Sequence, residues 1–375
     1  MSISSWAGFL CYPLVFASIA VASFIPAEAV FRLLGDAPSE DLRGLYAPFG
    51  DNGYKLGANV DTSASWASGP FFVHTDGLGL RCDRDRRFAV HPGDLLDVVF
   101  LGDSQGFGNG VSFESTIAGT VAACEYNRQL RVANISVGGH TITQQLELLQ
   151  RLVTEDHLRA RTYVLLTTPV MALGCDGYTH AAVGADGRLY DGPKTAEQMA
   201  VIYLKSHSVT YSRIRDAIRN IGIGLAPPRD TPFLFRLYDA GVDEQRVTNT
   251  LTHCVQQLTA FADTQRANLA MVYVPLTVEA GFSDISEAAA SHGIRLDPDL
   301  PSRIAASVSR RLGVPFLDLR PVARDLRANG DPLHLKGDYH YDATLSSSCG
   351  KRVGAALSDL PRRSPSAAAS RHEES

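Results

Sequence analysis

The hydrophobic pattern between residues 95 and 360 alternates between short apolar runs and stretches with helical spacing. Helical spacing is clearest over Ile142–Val153 and Val247–Ala267, where apolar residues recur every three or four positions. Strands that alternate with helices form a parallel sheet through right-handed crossovers, and the helices cover both of its faces. The pattern therefore predicts a three-layer α/β/α sandwich with a central parallel sheet. Its buried strands are expected within the apolar runs 95–102, 132–137, 162–170, 269–276 and 313–319.

The segments outside this alternation have other compositions. Residues 31–94 are rich in Gly, Asp and Pro, which favours an irregular lead-in segment, and residues 361–375 lack apolar periodicity, which favours a disordered tail. Residues 171–268 are too many for one crossover connection, so we expect an insertion at about residues 172–245. Such an insertion either shapes a substrate pocket or lid, or decorates the solvent-facing surface.

A strongly apolar segment opens the chain. No charged residue occurs over Ser4–Ala27, and a run longer than roughly 20 residues can cross a bilayer as a single helix. A cleaved signal peptide is the alternative, because small residues follow Ala22, although the segment lacks an early Lys or Arg. A buried core helix is disfavoured, because Pro13 would interrupt it. We therefore expect residues 1–30 to form a transmembrane anchor or, failing that, a signal peptide.

The charge and cysteine content of the chain limit its partners. The 375 residues carry a net charge of −5 with both signs interspersed, so no basic stripe predicts binding to nucleic acid. Six cysteines occur without a C-x-x-C spacing, which gives no support to a zinc cluster. One or two disulfides and isolated buried thiols are equally consistent with their positions. No cofactor or metal is expected from these features.

Candidate chemistry lies just past the apolar runs, because ligands of parallel sheets bind beyond the carboxyl ends of the strands. The first run ends in Gly102-Asp103-Ser104, a tight turn that would lift the serine hydroxyl to the edge of the sheet. The second run is followed by Gly138-Gly139, where the absence of a Cβ lets a backbone N–H face a ligand. The third run leads into Thr167-Thr168-Pro169, which supplies no acid, base or amide.

A serine hydroxyl becomes a nucleophile when a base lies close to it, and a carboxylate that orients this base improves it. Residues 331–342 supply both groups in two ways. Asp338 precedes His340 by two residues, and Asp331 precedes His334 by three. Each pair can also belong to a solvated polar turn. A metal site built from the two histidines and the aspartates is a weaker alternative, because no second cluster of ligands appears.

These motifs, in this order and spacing, resemble those of the SGNH (GDSL) hydrolase superfamily over residues 95–358. The strongest likeness is Val98-Val-Phe-Leu-Gly-Asp-Ser104 with the glycines that follow it, and residues 134–145 also fit the family's second block. The resemblance implies a flavodoxin-like SGNH hydrolase fold with Ser104 as the nucleophile. It further implies that the backbone N–H groups of Ser104 and Gly139 form the oxyanion hole.

Two positions depart from the family's pattern. The third block of the family carries an asparagine that gives another oxyanion donor, and this chain has no asparagine there, although Thr168 could replace it. In the final block, Asp338-x-His340 resembles a form found in anchored and acetyl-transferring relatives, whereas Asp331-x-x-His334 has the common family spacing. We favour Asp338 and His340 as the catalytic pair and keep Asp331 and His334 as the less favoured pair.

The segment Asp76-Gly-Leu-Gly-Leu-Arg81, behind an apolar helix, is similar to membrane-anchored bacterial members linked with surface polysaccharide modification. The resemblance thus implies a serine esterase or O-acyltransferase acting on acyl esters, with acetyl expected, of a cell-surface or exported glycan. The alternative is a non-catalytic SGNH-like protein that binds glycans or assembles polysaccharide. The expected location is the bacterial inner membrane, single-pass, with the catalytic domain in the periplasm or outside the cell, and secretion is the alternative.

Overall fold

The computed structural model describes most of the chain between residues 22 and 358. Asp338, most of the expected anchor and the whole of the expected tail lie outside the described residues. The chain divides into two compact units, one within residues 1–41 and 193–225 and the other within residues 42–192 and 226–375. The described ranges are 22–34, 42–50, 53–66, 69–124, 130–175, 181–190, 195–211, 213–214, 217, 235–280, 289–290, 293–335 and 339–358.

Strands and helices are labelled here in chain order. The strands are β1 (Tyr46–Phe49), β2 (Gly53–Leu56), β3 (Asp61–Trp66), β4 (Gly69–Thr75), β5 (Arg81–Cys82), β6 (Leu95–Leu101), β7 (Val132–Asn134), β8 (Arg159–Thr167), β9 (Ala182–Val183), β10 (Leu189–Tyr190), β11 (Asn268–Tyr273) and β12 (Phe316–Asp318). The helices are α1 (22–33), α2 (Ser104–Phe107), α3 (Ile117–Ala123), α4 (Ile142–Thr154), α5 (Pro169–Leu173), α6 (Ala196–His207), α7 (Glu244–Thr264), α8 (Leu300–Leu312), α9 (Arg320–Ala328) and α10 (Ala343–Leu357).

An eight-stranded, mostly parallel sheet forms the centre of the larger unit. Its strand order is β12-β11-β8-β6-β7-β5-β4-β3. The first five strands in this order run parallel, with Val99 of β6 paired to Tyr163 of β8 and to Ala133 of β7. The prediction of a mixed α/β fold with a large parallel sheet is therefore confirmed, and each of the five apolar runs contains residues of one parallel strand.

Apolar side chains on the two faces of this sheet belong to two separate core clusters. Val99 and Leu101 of β6 pack in one cluster with α4, α7 and α8, whereas Val98 and Phe100 pack in the other with α3 and α10. Because successive side chains of a strand point to opposite faces, a strand buried on both sides needs a continuous apolar sequence. The run Leu95–Leu101 has that sequence, and its helical layers lie on either side of the sheet.

The prediction that residues 31–94 form an irregular segment is wrong. Strands β1 and β2 form an antiparallel hairpin, and β3, β4 and β5 extend the central sheet through antiparallel pairing. Strand β5 joins the parallel part through the pairing of Arg81 with Asn134 of β7. We call β1 to β5 the lead-in. Its strands are short, and Gly, Asp and Pro are frequent over the segment, so the composition of the whole segment is typical of a loop although its elements are paired.

The insertion predicted at about residues 172–245 contributes to both units. In the larger unit, β9 and β10 pair as an antiparallel two-stranded sheet. In the smaller unit, the Glu28 carboxylate of α1 accepts hydrogen bonds from Ser208 Oγ and from the N–H groups of Val209 and Thr210, and Arg32 donates to the carbonyl of His207. These bonds hold the pKa of Glu28 at about 2, despite the opposing effect of its burial. The end of α6 is thus tied to α1.

Two further expectations concern the anchor and the cysteines. Over the residues that the structure describes, none of the helices has both the length and the apolar character that crossing a membrane requires. None of the cysteines within the described ranges forms a disulfide, and Cys82, Cys175, Cys254 and Cys349 are buried. Of the two possibilities left open by the sequence, isolated thiols are therefore the one that the described cysteines follow.

Candidate active site

Ser104 lies on a tight turn at the carboxyl end of the central strand β6. Asp103 caps the short helix α2, its carboxylate accepting a hydrogen bond from the N–H of Gln105 at 2.9 Å, so the chain turns sharply into helix at the serine. A Cβ at Gly106 would approach Ser136 Oγ to 2.6 Å, so only glycine allows the turn to pack this closely. We call residues 102–108 the serine turn.

Thr168 acts on the serine turn from the next parallel strand. Its hydroxyl donates a hydrogen bond to Asp103 Oδ2 at 2.5 Å, and the same oxygen accepts a bond from the N–H of Met171 to cap α5. Burial raises the pKa of Asp103, and the bonds from Thr168 and Gln105 oppose that rise. Because the Thr168 proton is directed at Asp103, its hydroxyl does not supply the oxyanion donor that the family's asparagine would give.

His340 meets Ser104 from the far end of the sequence. The distance between His340 Nε2 and Ser104 Oγ is 2.8 Å, which is hydrogen-bonding distance for a base and its nucleophile. His340 is buried, with 5% of its surface exposed, and its ring stacks on that of Tyr339 with centroids 4.5 Å apart. The structure therefore brings together the serine and the histidine that the sequence favoured.

The less favoured pair lies elsewhere on the same loop, and we call the described residues 331–335 and 339–342 the histidine loop. His334 is exposed, and its backbone pairs with Tyr341. Asp331 is half-buried and raises the pKa of Asp342 through its charge, although burial is the larger cause of that rise. Neither residue of this pair is among those that line the cleft around Ser104. Asp338, the predicted carboxylate partner of His340, lies outside the described residues.

Gly138 and Gly139 line the same cleft as Ser104, and we call residues 135–140 the glycine loop. A Cβ at Gly138 would come within 3.8 Å of Ser104 Cβ. Gly139 has a φ of 81°, a left-handed conformation that favours glycine. The backbone of this loop thus passes close to Ser104 at Gly138 with no side chain in between, and the oxyanion role of the Gly139 N–H stays a prediction.

The glycine loop is held from behind by the lead-in. Tyr54 Oη donates a hydrogen bond to the Gly138 carbonyl at 2.9 Å. His140 Nε2 lies 2.8 Å from the Tyr54 carbonyl, and its Nδ1 accepts a hydrogen bond from Gln145 Nε2 at 3.2 Å. Burial lowers the pKa of His140 to about 4, so this imidazole is neutral at pH 7 and donates through Nε2. His140 therefore helps to hold the glycine loop in place.

The lead-in also holds the serine turn. The fully buried guanidinium of Arg81 donates hydrogen bonds to the carbonyls of Phe107, Gly108 and Val111, at 2.7 Å for Gly108, and it lies 4.4 Å from the centroid of the Phe107 ring. Burial lowers the pKa of Arg81 to about 9. A cation is costly to bury, so these carbonyls offset part of that cost while being fixed in place.

A cleft of about 420 Å³ opens above the serine and histidine. One of its walls is apolar and is formed by Val170, Met171, Leu276 and Tyr339. An apolar wall beside a nucleophile suits the acyl group of an ester, because only the carbonyl oxygen then needs polar partners. The remaining lining residues are Tyr46, Asp103, Ser104, Gln105, Asn109, Gly138, Gly139, His140, Thr141, Gly174 and His340.

Sequence reasoning missed several residues of this site. Tyr46 and Tyr54 belong to the lead-in, whose strands were not predicted. Asn109 follows the serine turn and its N–H donates to the Ser104 carbonyl, and Gln105 lies beside Ser104 in the sequence. The position of Gln105 next to the nucleophile was a signal that could have identified it, whereas nothing in the local sequence distinguishes the two tyrosines.

No protein-family model and no curated protein matches this chain. Among solved structures, a member of the lipolytic protein G-D-S-L family from Veillonella parvula DSM 2008 matches with a TM-score of 0.39 and 8% identity, covering 71% of this chain and 100% of its own. A catalytic mutant of an acetylxylan esterase from Geobacillus stearothermophilus gives a TM-score of 0.39 and 10% identity, with coverage of 73% and 99%. Another acetyl xylan esterase gives 0.38 and 12%, with coverage of 70% and 99%. At these TM-scores the likeness carries no argument about this chain.

Proposed function

We propose that this chain is an SGNH-type serine esterase or O-acyltransferase. The observation that carries this proposal is the 2.8 Å contact between His340 Nε2 and Ser104 Oγ on the carboxyl side of a parallel sheet, beside a glycine loop. A serine, an adjacent base and a nearby backbone donor are the groups that acyl transfer requires.

The first half of the reaction forms an acyl-enzyme. Ser104 Oγ attacks the carbonyl carbon of the ester while His340 Nε2 takes the hydroxyl proton. The N–H groups of Ser104 and Gly139 hold the negative charge on the carbonyl oxygen. When the tetrahedral intermediate collapses, the ester C–O bond breaks and His340 returns the proton to the leaving alcohol. Asp338 orients the imidazole in this proposal.

The second half releases the acyl group to an acceptor. Water activated by His340 gives hydrolysis, and a sugar hydroxyl in the same place gives O-acyl transfer. We propose an acyl ester, with acetyl expected, of a cell-surface or exported glycan as the substrate, and this rests on the likeness of Asp76–Arg81 to anchored members linked with surface polysaccharides. The absence of the family's asparagine removes one donor, which typically costs about 3 kcal/mol of transition-state stabilisation.

Labelling by a fluorophosphonate probe, together with hydrolysis of p-nitrophenyl acetate, tests the enzyme proposal. We expect the wild-type chain to be labelled and Ser104→Ala to lose both labelling and hydrolysis. Ser112→Ala is the matched control, because Ser112 is exposed and lies outside the cleft. A wild-type chain that the probe does not label, or a Ser104→Ala variant that hydrolyses the ester normally, would overturn the proposal.

The hydrogen bond from Thr168 to Asp103 leaves the site without a replacement for the family's asparagine. This favours one alternative, a non-catalytic glycan-binding or polysaccharide-assembly protein. With one oxyanion donor fewer, the same cleft could bind an acylated glycan without turnover. This alternative predicts that the wild-type chain binds an O-acetylated glycan, resists the fluorophosphonate probe and keeps its glycan affinity in Ser104→Ala. Isothermal titration with acetylated and de-acetylated oligosaccharides separates the two proposals.

We also propose that the apolar first segment places the chain in the bacterial inner membrane, with the catalytic unit on the outer side. The exposed apolar side chains support a membrane-proximal position of the smaller unit. All large apolar side chains that are exposed over the described residues, except Phe72, belong to that unit, and they include Leu33 of α1 and Met199 and Tyr203 of α6. Apolar surface of this kind marks contact with a membrane or a protein.

Tryptophan quenching tests the membrane proposal in the full chain reconstituted into vesicles. The chain has two tryptophans, Trp6 in the uncharged segment and Trp66 in β3, so Trp66→Phe leaves Trp6 as the reporter. Brominated phosphatidylcholine should then quench the remaining fluorescence. Fluorescence that stays unquenched, or recovery of the chain in the soluble fraction with its first segment removed, would favour secretion.

A further inference from the structure

The side chain of Gln105 links the serine turn to the histidine loop. Its Nε2 donates a hydrogen bond to the Tyr339 carbonyl at 3.2 Å, and its Oε1 accepts one from the N–H of Tyr341 at 3.2 Å. Gln105 is the residue after Ser104, and the two residues that it binds are those on either side of His340. One amide thus contacts both peptide groups that flank the proposed base.

Other hydrogen bonds of the histidine loop lie within its own backbone or reach the end of β11, where Tyr341 Oη donates to the Pro275 carbonyl. The N–H of Leu335 donates to the His340 carbonyl at 3.0 Å, and the N–H of Asp342 donates to the Leu333 carbonyl at 3.2 Å. These backbone bonds give the loop its shape, but they lie within the loop and do not fix its distance from Ser104. The bonds of Gln105 do so, because the donor and acceptor belong to α2 itself.

The location of Gln105 makes both bonds effective. Its side chain is buried, with 3% of its surface exposed, so water does not compete for the amide. The planar amide offers a donor and an acceptor side by side, which matches the carbonyl and N–H of an extended chain. A displacement of about 1 Å in the position of a reacting group can cost 10²-fold in rate, so a contact that fixes the distance from base to nucleophile affects catalysis directly.

We propose that Gln105 is a positioning residue that sets the place of His340 relative to Ser104. The proposal rests on the esterase or acyltransferase function proposed above. Gln105 takes no proton and forms no bond with the acyl group in this role. Ser104, which begins α2, and Gln105, which binds the histidine loop, are neighbours in the chain. The bonds of Gln105 therefore keep the distance between the base and the nucleophile constant.

The second-order rate of Ser104 labelling by a fluorophosphonate tests this role. Gln105→Met keeps the length of the side chain and removes both hydrogen bonds, and we expect labelling to slow by about 10- to 100-fold. In p-nitrophenyl acetate hydrolysis, kcat should fall by a similar factor while KM changes little. Ser309→Ala is the matched control. Ser309 lies in α8, and its buried hydroxyl donates a hydrogen bond to the Val314 carbonyl, so its removal leaves the cleft untouched.

The Gln105→Glu variant gives a readout that a structural role would not produce. A protonated glutamic acid has the shape of glutamine and donates to the Tyr339 carbonyl, whereas the ionised form repels that carbonyl. The labelling rate of Gln105→Glu divided by that of the wild type should therefore rise as the pH falls. A carboxylate that only added charge near His340 would make the imidazole a stronger base and would not lower the rate at high pH.

The outcomes separate failure of this proposal from failure of the proposed function. A wild-type chain that is not labelled overturns the function itself. A labelled wild type with Gln105→Met at the wild-type rate, or a Gln105→Glu ratio that stays constant with pH, overturns only the role of Gln105. If Gln105→Met does not fold, as judged by its melting temperature beside Ser309→Ala, the Gln105→Glu ratio still decides the matter.

Discussion

The two halves of the candidate site are supported in different ways. The serine turn and the glycine loop are supported by the lead-in. Arg81 donates to the Gly108 carbonyl of the serine turn, and Tyr54 donates to the Gly138 carbonyl of the glycine loop. The histidine loop is instead bound by Gln105 of the serine turn and by the Tyr341 hydroxyl, which donates to the Pro275 carbonyl just past β11. The serine turn and the glycine loop are thus supported by the lead-in, whereas the histidine loop is bound in part by the serine turn itself.

A buried carboxyl lies beneath the histidine side. Glu279 accepts hydrogen bonds from Tyr238 Oη, Tyr273 Oη and the N–H of Leu276, and burial raises its pKa to about 7. Its counterpart on the other side is His140, which burial keeps neutral. The two sides therefore differ in the charge state of the buried group beside them, because His140 is neutral at pH 7 whereas Glu279 changes its charge near that pH.

The largest expected effect comes from removing the proposed base. His340→Ala should slow fluorophosphonate labelling by about 10²- to 10⁴-fold, because Ser104 then lacks a group to take its proton. His334→Ala should stay near the wild-type rate, because His334 is exposed and outside the cleft. The opposite result, with loss only in His334→Ala, would transfer the role of base to the other pair.

A large loss of stability is expected when the lead-in releases the serine turn. Arg81→Met leaves three buried carbonyls without their donor, and we expect the free energy of unfolding to fall by about 3 kcal/mol. Denaturant titration measures this loss. Arg86→Met is the matched control, because Arg86 forms a partly exposed ion pair with Asp61, and such pairs contribute little to stability. Equal losses in the two variants would contradict the support assigned to Arg81.

The contributions of His140 and Glu279 to the free energy of unfolding should change with pH in opposite directions. The pKa of His140 is lowered from 6.5 to about 4, so its contribution to stability is present above pH 6.5 and is lost as the pH falls through 4. The pKa of Glu279 is raised from 4.5 to about 7, so its contribution is present below pH 4.5 and is lost as the pH rises through 7. Each contribution is about 3 kcal/mol.

Urea titrations between pH 4 and 8 measure both contributions. In His140→Gln the loss of stability on acidification should become smaller, and in Glu279→Gln the loss on going from pH 4.5 to 7 should become smaller. If both variants changed the free energy of unfolding over the same part of the pH range, the contrast between the two halves would be wrong.

The smallest effect is expected at the tyrosine behind the glycine loop. Tyr54→Phe removes the hydrogen bond to the Gly138 carbonyl and should lower the free energy of unfolding by about 1 kcal/mol. Tyr163→Phe is a close control, because the Tyr163 hydroxyl is buried without a hydrogen-bond partner and its removal should cost nothing. Thermal unfolding of both variants measures the difference, and a greater loss in Tyr163→Phe would count against the role of Tyr54.

The sequence predicted the parallel sheet and the serine and histidine that meet on it. Continuous apolar runs such as Leu95–Leu101 are long and carry a strong signal, and Gly102-Asp103-Ser104 marks where one of them ends. The choice between His340 and His334 rested on the order of residues in a motif, and the 2.8 Å contact agrees with the residue that was favoured. The catalytic roles themselves stay predictions.

The support of the site was not predictable in the same way. Arg81 and Tyr54 act through side-chain bonds to backbone carbonyls of distant segments, and such bonds leave no periodic pattern in the sequence. Strands β3 to β5 are short, and the apolar residues that they bury, such as Phe71 and Val73, are too few to form a long apolar run. These strands pair with one another, and they join the parallel part of the sheet through β7, which lies beyond the serine turn in the chain.

The three-residue strand β7 sits between β6 and β5, so the lead-in closes what would otherwise be an open edge. During synthesis β3, β4 and β5 can pair early, but the second edge of β5 has no partner until residue 132 has been made. A chain that is made or exported from its amino end therefore carries an unpaired strand edge through that interval. Such edges recruit other chains. The exposure of this edge ends when β7 pairs with β5.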